Sequence, residues 1–223
     1  MGDINKIAVL YGGSSSEREI SIQSGEGVYN AIIELGFVAD LIDINDLEDL
    51  SELRVFDFIF IALHGFEGEG GKLQKDLDDL NILYSGSSSK CCKNTWNKKL
   101  TKEILEQNNI NTPIWSEVNK LPSYDSPNAK LSDSFFDKFR PFEAIFLKPQ
   151  EDGSSIDIFK ISNENNNKNA IQACLNPNRA FIYEEYITGK EFTVTIIDNI
   201  CLPPIEIISN NEFYDYDAKY HSD

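Results

Sequence analysis

The stretch Lys6-Ile-Ala-Val-Leu-Tyr-Gly-Gly-Ser-Ser-Ser-Glu-Arg-Glu-Ile-Ser21 decides how this chain is to be folded. Its first six residues form an apolar run of the kind a buried parallel strand requires, cut off abruptly by Gly12 and Gly13. Ser16 and Glu19 stand at the S-x-x-E spacing of a capping box, so a helix is expected to start there. Ile20, Val28, Ile32 and Leu35 can then face a sheet, with Gly36 as the C-cap. Residues 37–44 alternate as a strand, and residues 56–63 (FDFIFIAL) make an unbroken apolar strand that stops at His64-Gly65. Strand, glycine turn, helix, strand is the doubly wound α/β arrangement, in which ligands gather at the carboxyl ends of strands. Residues 12–17 and 64–71 both lie at such ends.

Downstream, the pattern predicts a helix over 72–80, a short strand Ile82-Leu83-Tyr84, and a helix over 96–108 stopped by Asn109 and Pro113. Residues 121–127 are a turn-rich connection. Residues 144–147 and 156–161 read as strands around a glycine turn, and the Asn-rich 163–169 as a solvated loop. Residues 180–186 and 192–197 read as strands, with Asp198-Asn199 turning into 202–208, where Pro203-Pro204 favours an edge. An α/β domain to about residue 90 is therefore followed by an α+β region, without internal repeats.

Composition narrows the class. The 223 residues are 41% hydrophobic and 11% aromatic, which suits one large or two small globular domains. A net charge of −17, from 20 basic and 37 acidic residues, disfavours nucleic acid as a partner. A small phosphorylated ligand, needing two or three local cations, stays compatible. No apolar run is long enough for a bilayer, so no membrane partner is expected, and the start lacks a signal-peptide core. Lys6 also breaks the myristoylation pattern that Gly2 suggests. Cys91, Cys92, Cys174 and Cys201 form no C-x-x-C pair and are expected as free thiols in a cytoplasmic protein.

Three further segments concentrate hydrogen-bonding groups. In Lys148-Pro-Gln-Glu-Asp-Gly-Ser-Ser155 a lysine closes a strand before a loop whose N–H and hydroxyl groups can wrap a phosphate. The order is not that of a P-loop, and an ordinary hairpin turn fits the segment as well. In Phe181-Ile-Tyr-Glu-Glu-Tyr-Ile-Thr-Gly-Lys-Glu191 carboxylates at a strand end can accept hydrogen bonds from a ribose, or simply be solvated. The last eleven residues, Phe213-Tyr-Asp-Tyr-Asp-Ala-Lys-Tyr-His-Ser-Asp223, follow neither helical nor strand spacing and read as a contact-making loop or a fraying end.

Taken together, these segments resemble the D-alanine–D-alanine ligase family of ATP-grasp enzymes, over essentially the whole chain. The motifs occur in the family's order: residues 12–21, residues 62–87 (including Ala62-Leu-His-Gly65 and Gly68-Glu-Gly-Gly-Lys-Leu-Gln74), residues 148–155, residues 184–191 and residues 213–220. The resemblance implies an α/β fold in which an ATP-grasp fold follows a Rossmann-like N-terminal domain. The expected limits are 1–90 for the first domain with the D-alanine subsite, 91–180 for the central ATP-grasp subdomain, and 181–223 for the start of the C-terminal subdomain. It also implies the activity: ATP phosphorylates one D-alanine, and a second attacks the acyl phosphate, giving the dipeptide for peptidoglycan precursors.

Residue by residue, Glu17 matches the family's ligand for the first D-alanine ammonium and His64 the histidine near that subsite. Lys98 and Lys148 match the lysines that neutralise ATP phosphates, and Ser154 and Ser155 lie in the loop that folds over them. Glu184 matches the residue beside the adenine, Glu191 the ribose ligand, and Lys219 and Tyr220 the pair brought in by loop closure. Glu17, Ser154 and Tyr220 match a hydrogen-bonded triad, whose tyrosine goes with D-alanine as second substrate. ATP and Mg2+ are the implied cofactor set, and a homodimer through the first domain is the family expectation. Three positions depart from the pattern. Gly70 and Asn97 replace aspartates, and Asp157 replaces a glycine. Family members continue for roughly a quarter of their length beyond the mobile loop, so the magnesium ligands are expected in a part this chain lacks. An ATP-grasp ligase of another substrate, or a non-catalytic fragment of the fold, are the competing expectations.

Overall fold

The computed structural model describes residues 4–118, 144–162, 168–174, 176 and 178–208. The chain divides into two compact units, Met1–Thr101 and Lys102–Asp223.

In the first unit β1 (Lys6–Tyr11) lies between β2 (Val38–Asp43) and β3 (Phe58–Ile61), parallel to both. Its central place explains the unbroken apolar run: Ala8, Val9 and Leu10 are fully buried, because helices cover a parallel sheet. Helix α1 (Arg18–Glu34) connects β1 to β2. It turns small residues, Ser21 and Gly25, toward the sheet, and a Cβ on Gly25 would stand 2.6 Å from the Tyr11 Cβ. Gly36 takes the expected left-handed conformation just past the helix. Leu35 does not face the sheet: it is 75% exposed at the C-cap, beyond the last packed turn. The Ser16–Glu19 capping box does not form either. Glu17 is the N-cap, without a side-chain cap bond, and its N–H donates to Ser15 Oγ at 3.2 Å.

Two 3-10 turns, Ile44–Asp46 and Leu50–Val55, join β2 to β3, and a capping box forms there instead, between Asp49 and Glu52. Helices α2 (Phe66–Glu69), α3 (Lys72–Asp79) and α4 (Ser89–Trp96) follow. The strand expected at 82–84 is reduced to a single parallel bridge, Ile59 to Tyr84. Leu53, Ile59 and Leu77, each fully buried, form the centre of this core. The helix expected over 96–108 is α5 (Lys98–Gln107). Asn97 has an extended backbone and accepts the Leu100 N–H through Oδ1 at 3.0 Å, so it starts α5 as an N-cap. Asn and Asp cap about equally well, which accommodates one of the three sequence departures. A second departure, Gly70, closes α2, where a Cβ would meet Phe66 Cδ2 at 2.5 Å.

The second unit is built on an antiparallel sheet ordered β4-β7-β5-β6, comprising β4 (Trp115–Glu117), β5 (Ala144–Pro149), β6 (Phe159–Ser162) and β7 (Phe181–Glu185). Ile145, Leu147, Ile161 and Phe181 pack with Ala170 of α6 (Lys168–Cys174), a helix that begins inside the segment expected to be loop. β6 starts at Phe159, later than expected, because residues 152–157 are occupied by a tight loop. Beyond β7 lie two small antiparallel ribbons, β8 (Glu191–Thr193) with β11 (Ile205–Ile207), and β9 (Ile196–Ile197) with β10 (Ile200–Cys201). Asp198 and Asn199, both at positive φ, make the expected hairpin turn.

Candidate functional site

The carboxyl ends of β1, β2 and β3 meet at one polar cluster in the first unit. Gly12 (φ +80°) and Gly13 (φ +76°) let the chain leave β1 in a left-handed turn. At Gly12 a Cβ would lie 2.4 Å from Asp43 Oδ2, so the turn wraps directly on that carboxylate. Asp43, at the end of β2, accepts the Gly13 N–H at 3.3 Å, the Asn45 N–H at 3.0 Å and the Arg18 guanidinium at 2.5 Å. Arg18 also donates to the Gly13 carbonyl at 2.7 Å, and Asn45 Nδ2 to the same oxygen at 2.9 Å. Burial works to raise the Asp43 carboxyl, but Arg18 and the two backbone donors together hold it below the ordinary carboxylate value. Ser21 Oγ accepts the Gly12 N–H at 2.9 Å and donates to the Ala62 carbonyl at 2.8 Å, tying β1, α1 and the end of β3 together.

This frame holds Glu17 and His64 side by side. Glu17 is 4% exposed, and its Oε2 lies 3.3 Å from where a Cβ on Gly65 would sit. Ser15 Oγ donates to the His64 carbonyl at 3.2 Å, so the β1–α1 turn and the segment after β3 are hydrogen-bonded at this point. His64 Nε2 faces Ser24 Oγ at 3.2 Å, and Nδ1 stands 3.7 Å from Glu69 Oε1. The Glu69 carboxylate raises the imidazole above its usual 6.5, against the effect of half-burial, with a smaller contribution from Glu17. The result is a buried carboxylate beside a readily protonated imidazole, an arrangement suited to an amino acid's ammonium and carboxylate groups.

A second cluster lies on β5 and β7 of the other unit. Phe146 is directly opposite Glu184 in the ladder, so Lys148, two residues on, shares Glu184's face diagonally. Lys148 Nζ pairs with Glu184 Oε1, while Lys102 Nζ reaches Oε2 at 2.6 Å and also donates to Thr112 Oγ1 at 2.9 Å. Burial pushes the Glu184 carboxyl up, and the two lysines outweigh it, leaving it below its ordinary value. Alternation sends Glu185 to the opposite face. The loop after Lys148 holds Ser154 and Ser155 half-buried at φ +50° and +59°. Arg179 fastens it by pairing with both Asp152 and Asp157. Asp157, the third sequence departure, thus has a partner for its carboxylate and a left-handed backbone (φ +52°) of the kind glycine adopts freely.

Of the remaining expected residues, Lys98 opens α5 half-buried within the first unit, and Glu191 is exposed at the start of β8. Lys219 and Tyr220 fall outside the described residues, as does the turn-rich 121–127. The sequence reading missed Asp43, Lys102 and Arg179. Asp43 carried a legible signal, a carboxylate closing a strand at the ligand-bearing edge. Lys102 looks in sequence like any helix-surface lysine, and Arg179 like a solvated loop cation.

The family model described as D-ala D-ala ligase C-terminus matches residues 104–223. Over 216 residues the chain is 34% identical to D-alanine--D-alanine ligase B of Clostridium perfringens, covering 96% of this chain and 68% of that protein. It is 37% identical over 222 residues to the D-alanine--D-alanine ligase of Haemophilus ducreyi, covering 98% of this chain and 70% of that one. The crystal structure of the Bacillus anthracis D-alanine--D-alanine ligase complexed with ATP superimposes with a TM-score of 0.76 at 28% identity, covering 94% of this chain and 68% of that chain.

Proposed function

Because the chain belongs to the D-alanine–D-alanine ligase family of ATP-grasp enzymes, we infer that its two polar clusters divide the ligase chemistry between an amino-acid subsite and a nucleotide subsite. The reaction is the ATP-dependent joining of two D-alanines. The γ-phosphoryl group passes to the carboxylate of the first, ADP is left, and the amine of the second displaces inorganic phosphate from the acyl phosphate. Phosphoryl transfer asks the protein mainly for positioning and charge neutralisation. The dipeptide feeds peptidoglycan precursor synthesis.

In this reading Glu17 receives the ammonium of the first D-alanine and His64 lies beside its carboxylate. Lys98, Lys148 and Lys219 neutralise phosphates under the Ser154–Ser155 loop, and Glu184 and Glu191 serve adenine and ribose. The triad of Glu17, Ser154 and Tyr220 would couple loop closure to the subsite and exclude water from the acyl phosphate. Domain limits at 1–90, 91–180 and 181–223, a cytoplasmic setting, and a homodimer through the first domain belong to the same proposal. No described helix is long and apolar enough to cross a membrane. Magnesium is expected with ATP. Among the described residues no group of three or more His, Cys, Asp or Glu side chains is placed to hold a metal ion.

The observation that carries the reading is the buried Glu17 carboxylate against Gly65, beside His64. Calorimetric titration with D-alanine tests it. Glu17→Gln is expected to weaken binding by at least about thirtyfold, the low end for truncating a buried charge pair. Equal affinity for L-alanine, or no effect of the substitution, would refute the assignment.

A further inference from the structure

Lys102 carries more than the shape of its helix. Its side chain is 8% exposed, and it shares the Glu184 carboxylate with Lys148, whose side chain is 21% exposed. Lysine is almost never buried without a partner, and a buried ion cluster is poor value for stability against apolar side chains of similar volume. The geometry of the cluster points instead to a charge role. Two ammonium groups share one carboxylate, so these three side chains together retain one positive charge. Lys102, which also bonds Thr112, is the more buried of the two lysines, and Lys148 is the more exposed.

We propose that Lys102 is a positioning residue for nucleotide binding. By engaging Glu184 Oε2 it keeps that carboxylate from neutralising Lys148 alone, so that Lys148 presents net positive charge to the nucleotide phosphates. The proposal rests on the reading of Lys148 as a phosphate ligand. With Lys102 uncharged, Glu184 and Lys148 become a closed neutral pair, and the attraction for phosphate falls. Adenosine carries no phosphate, so it shares with ATP whatever the change does to Glu184 at the adenine but not the loss at the phosphates.

The test compares the full chain with its Lys102→Met and Lys102→Arg variants, titrated with ATP and with adenosine. Trp115, directly opposite Glu184 in the β4–β7 ladder, supplies a fluorescence readout. Lys102→Met is expected to weaken ATP binding about tenfold more than adenosine binding, the order that a unit charge exerts over about 10 Å at an effective dielectric constant near 20. The adenosine arm measures the effect on Glu184 at the adenine, which ATP shares, and Lys102→Arg is expected to keep ATP affinity within about threefold, since arginine restores the charge. Equal losses of ATP and adenosine in Lys102→Met would show a merely structural role and overturn the proposal. Unchanged ATP binding, or a Lys102→Arg variant as impaired as Lys102→Met, would overturn it too. A parent chain that binds neither ligand would instead refute the nucleotide-site reading itself, and the proposal with it.

Discussion

Ser21→Ala removes a single oxygen and should destabilise the first unit out of proportion to its size. Ser21 is fully buried, and its hydroxyl is at once acceptor for the Gly12 N–H at 2.9 Å and donor to the Ala62 carbonyl at 2.8 Å. Gly12 and Ala62 are themselves buried, so water has no open route to replace the lost partner. A stranded buried polar group costs about 1–3 kcal/mol. Two of them, with some backbone relaxation, set the expected loss at about 2–4 kcal/mol, a large part of the roughly 5–15 kcal/mol available to a folded protein. At about 4–8 °C per kcal/mol for a unit of this size, the melting point should fall by about 10–30 °C. The chain holds two tryptophans, Trp96 and Trp115, so a Trp115→Phe background lets urea unfolding followed by fluorescence report the first unit. Ser21→Cys, similar in size but a weak hydrogen-bonding group, should fall between parent and alanine variant. If Ser21→Ala unfolds within about 1 kcal/mol of the parent, the hydroxyl does not hold the glycine turn and the account of the Glu17 frame is wrong.

Two other perturbations address the site directly. Arg179→Met should free the 152–157 loop, seen as faster amide exchange at Ser154 and Ser155, while global stability changes by less than about 1 kcal/mol because the ion pairs are partly exposed; unchanged exchange would mean that the loop holds itself. The chain has two histidines, so an NMR titration assigned with a His64→Asn variant should place His64 above 6.5, and Glu69→Gln should bring it down. Since the folded-state value is raised, the Glu69 contact stabilises fully below the unfolded value near 6.5 and is lost as pH rises through the folded one, so Glu69→Gln should lose more stability at pH 6 than at pH 9.

The first sheet was legible because its physics is local: an apolar run, two glycines and a carboxyl-end cluster dictate a strand and a turn whatever else the chain does. The same holds for Gly36 and for the Asp198-Asn199 hairpin. What escaped reading depends on register and burial. Glu184 and Glu185 are adjacent and chemically alike, and only the β5–β7 ladder places the former toward Lys148. Ser15 displaced Ser16 in organising the α1 entrance because the turn must also reach the His64 carbonyl, a constraint from a residue far along the chain. Lys102 became visible only once α5 had laid it against Glu184.

The ribbons formed by β8 with β11 and β9 with β10 bear on how this protein behaves in solution. Phe192, Val194, Ile196, Ile197, Ile200, Ile205 and Ile208 are each 45–84% exposed there, on two-stranded elements that are marginal by themselves. Against that adhesive surface stands a net charge of −17, which keeps like molecules apart. The repulsion is reduced by salt, with a screening length of about 8 Å at 0.15 M, whereas apolar attraction is not. Raising the ionic strength therefore weakens the repulsion while leaving the apolar attraction of these side chains intact.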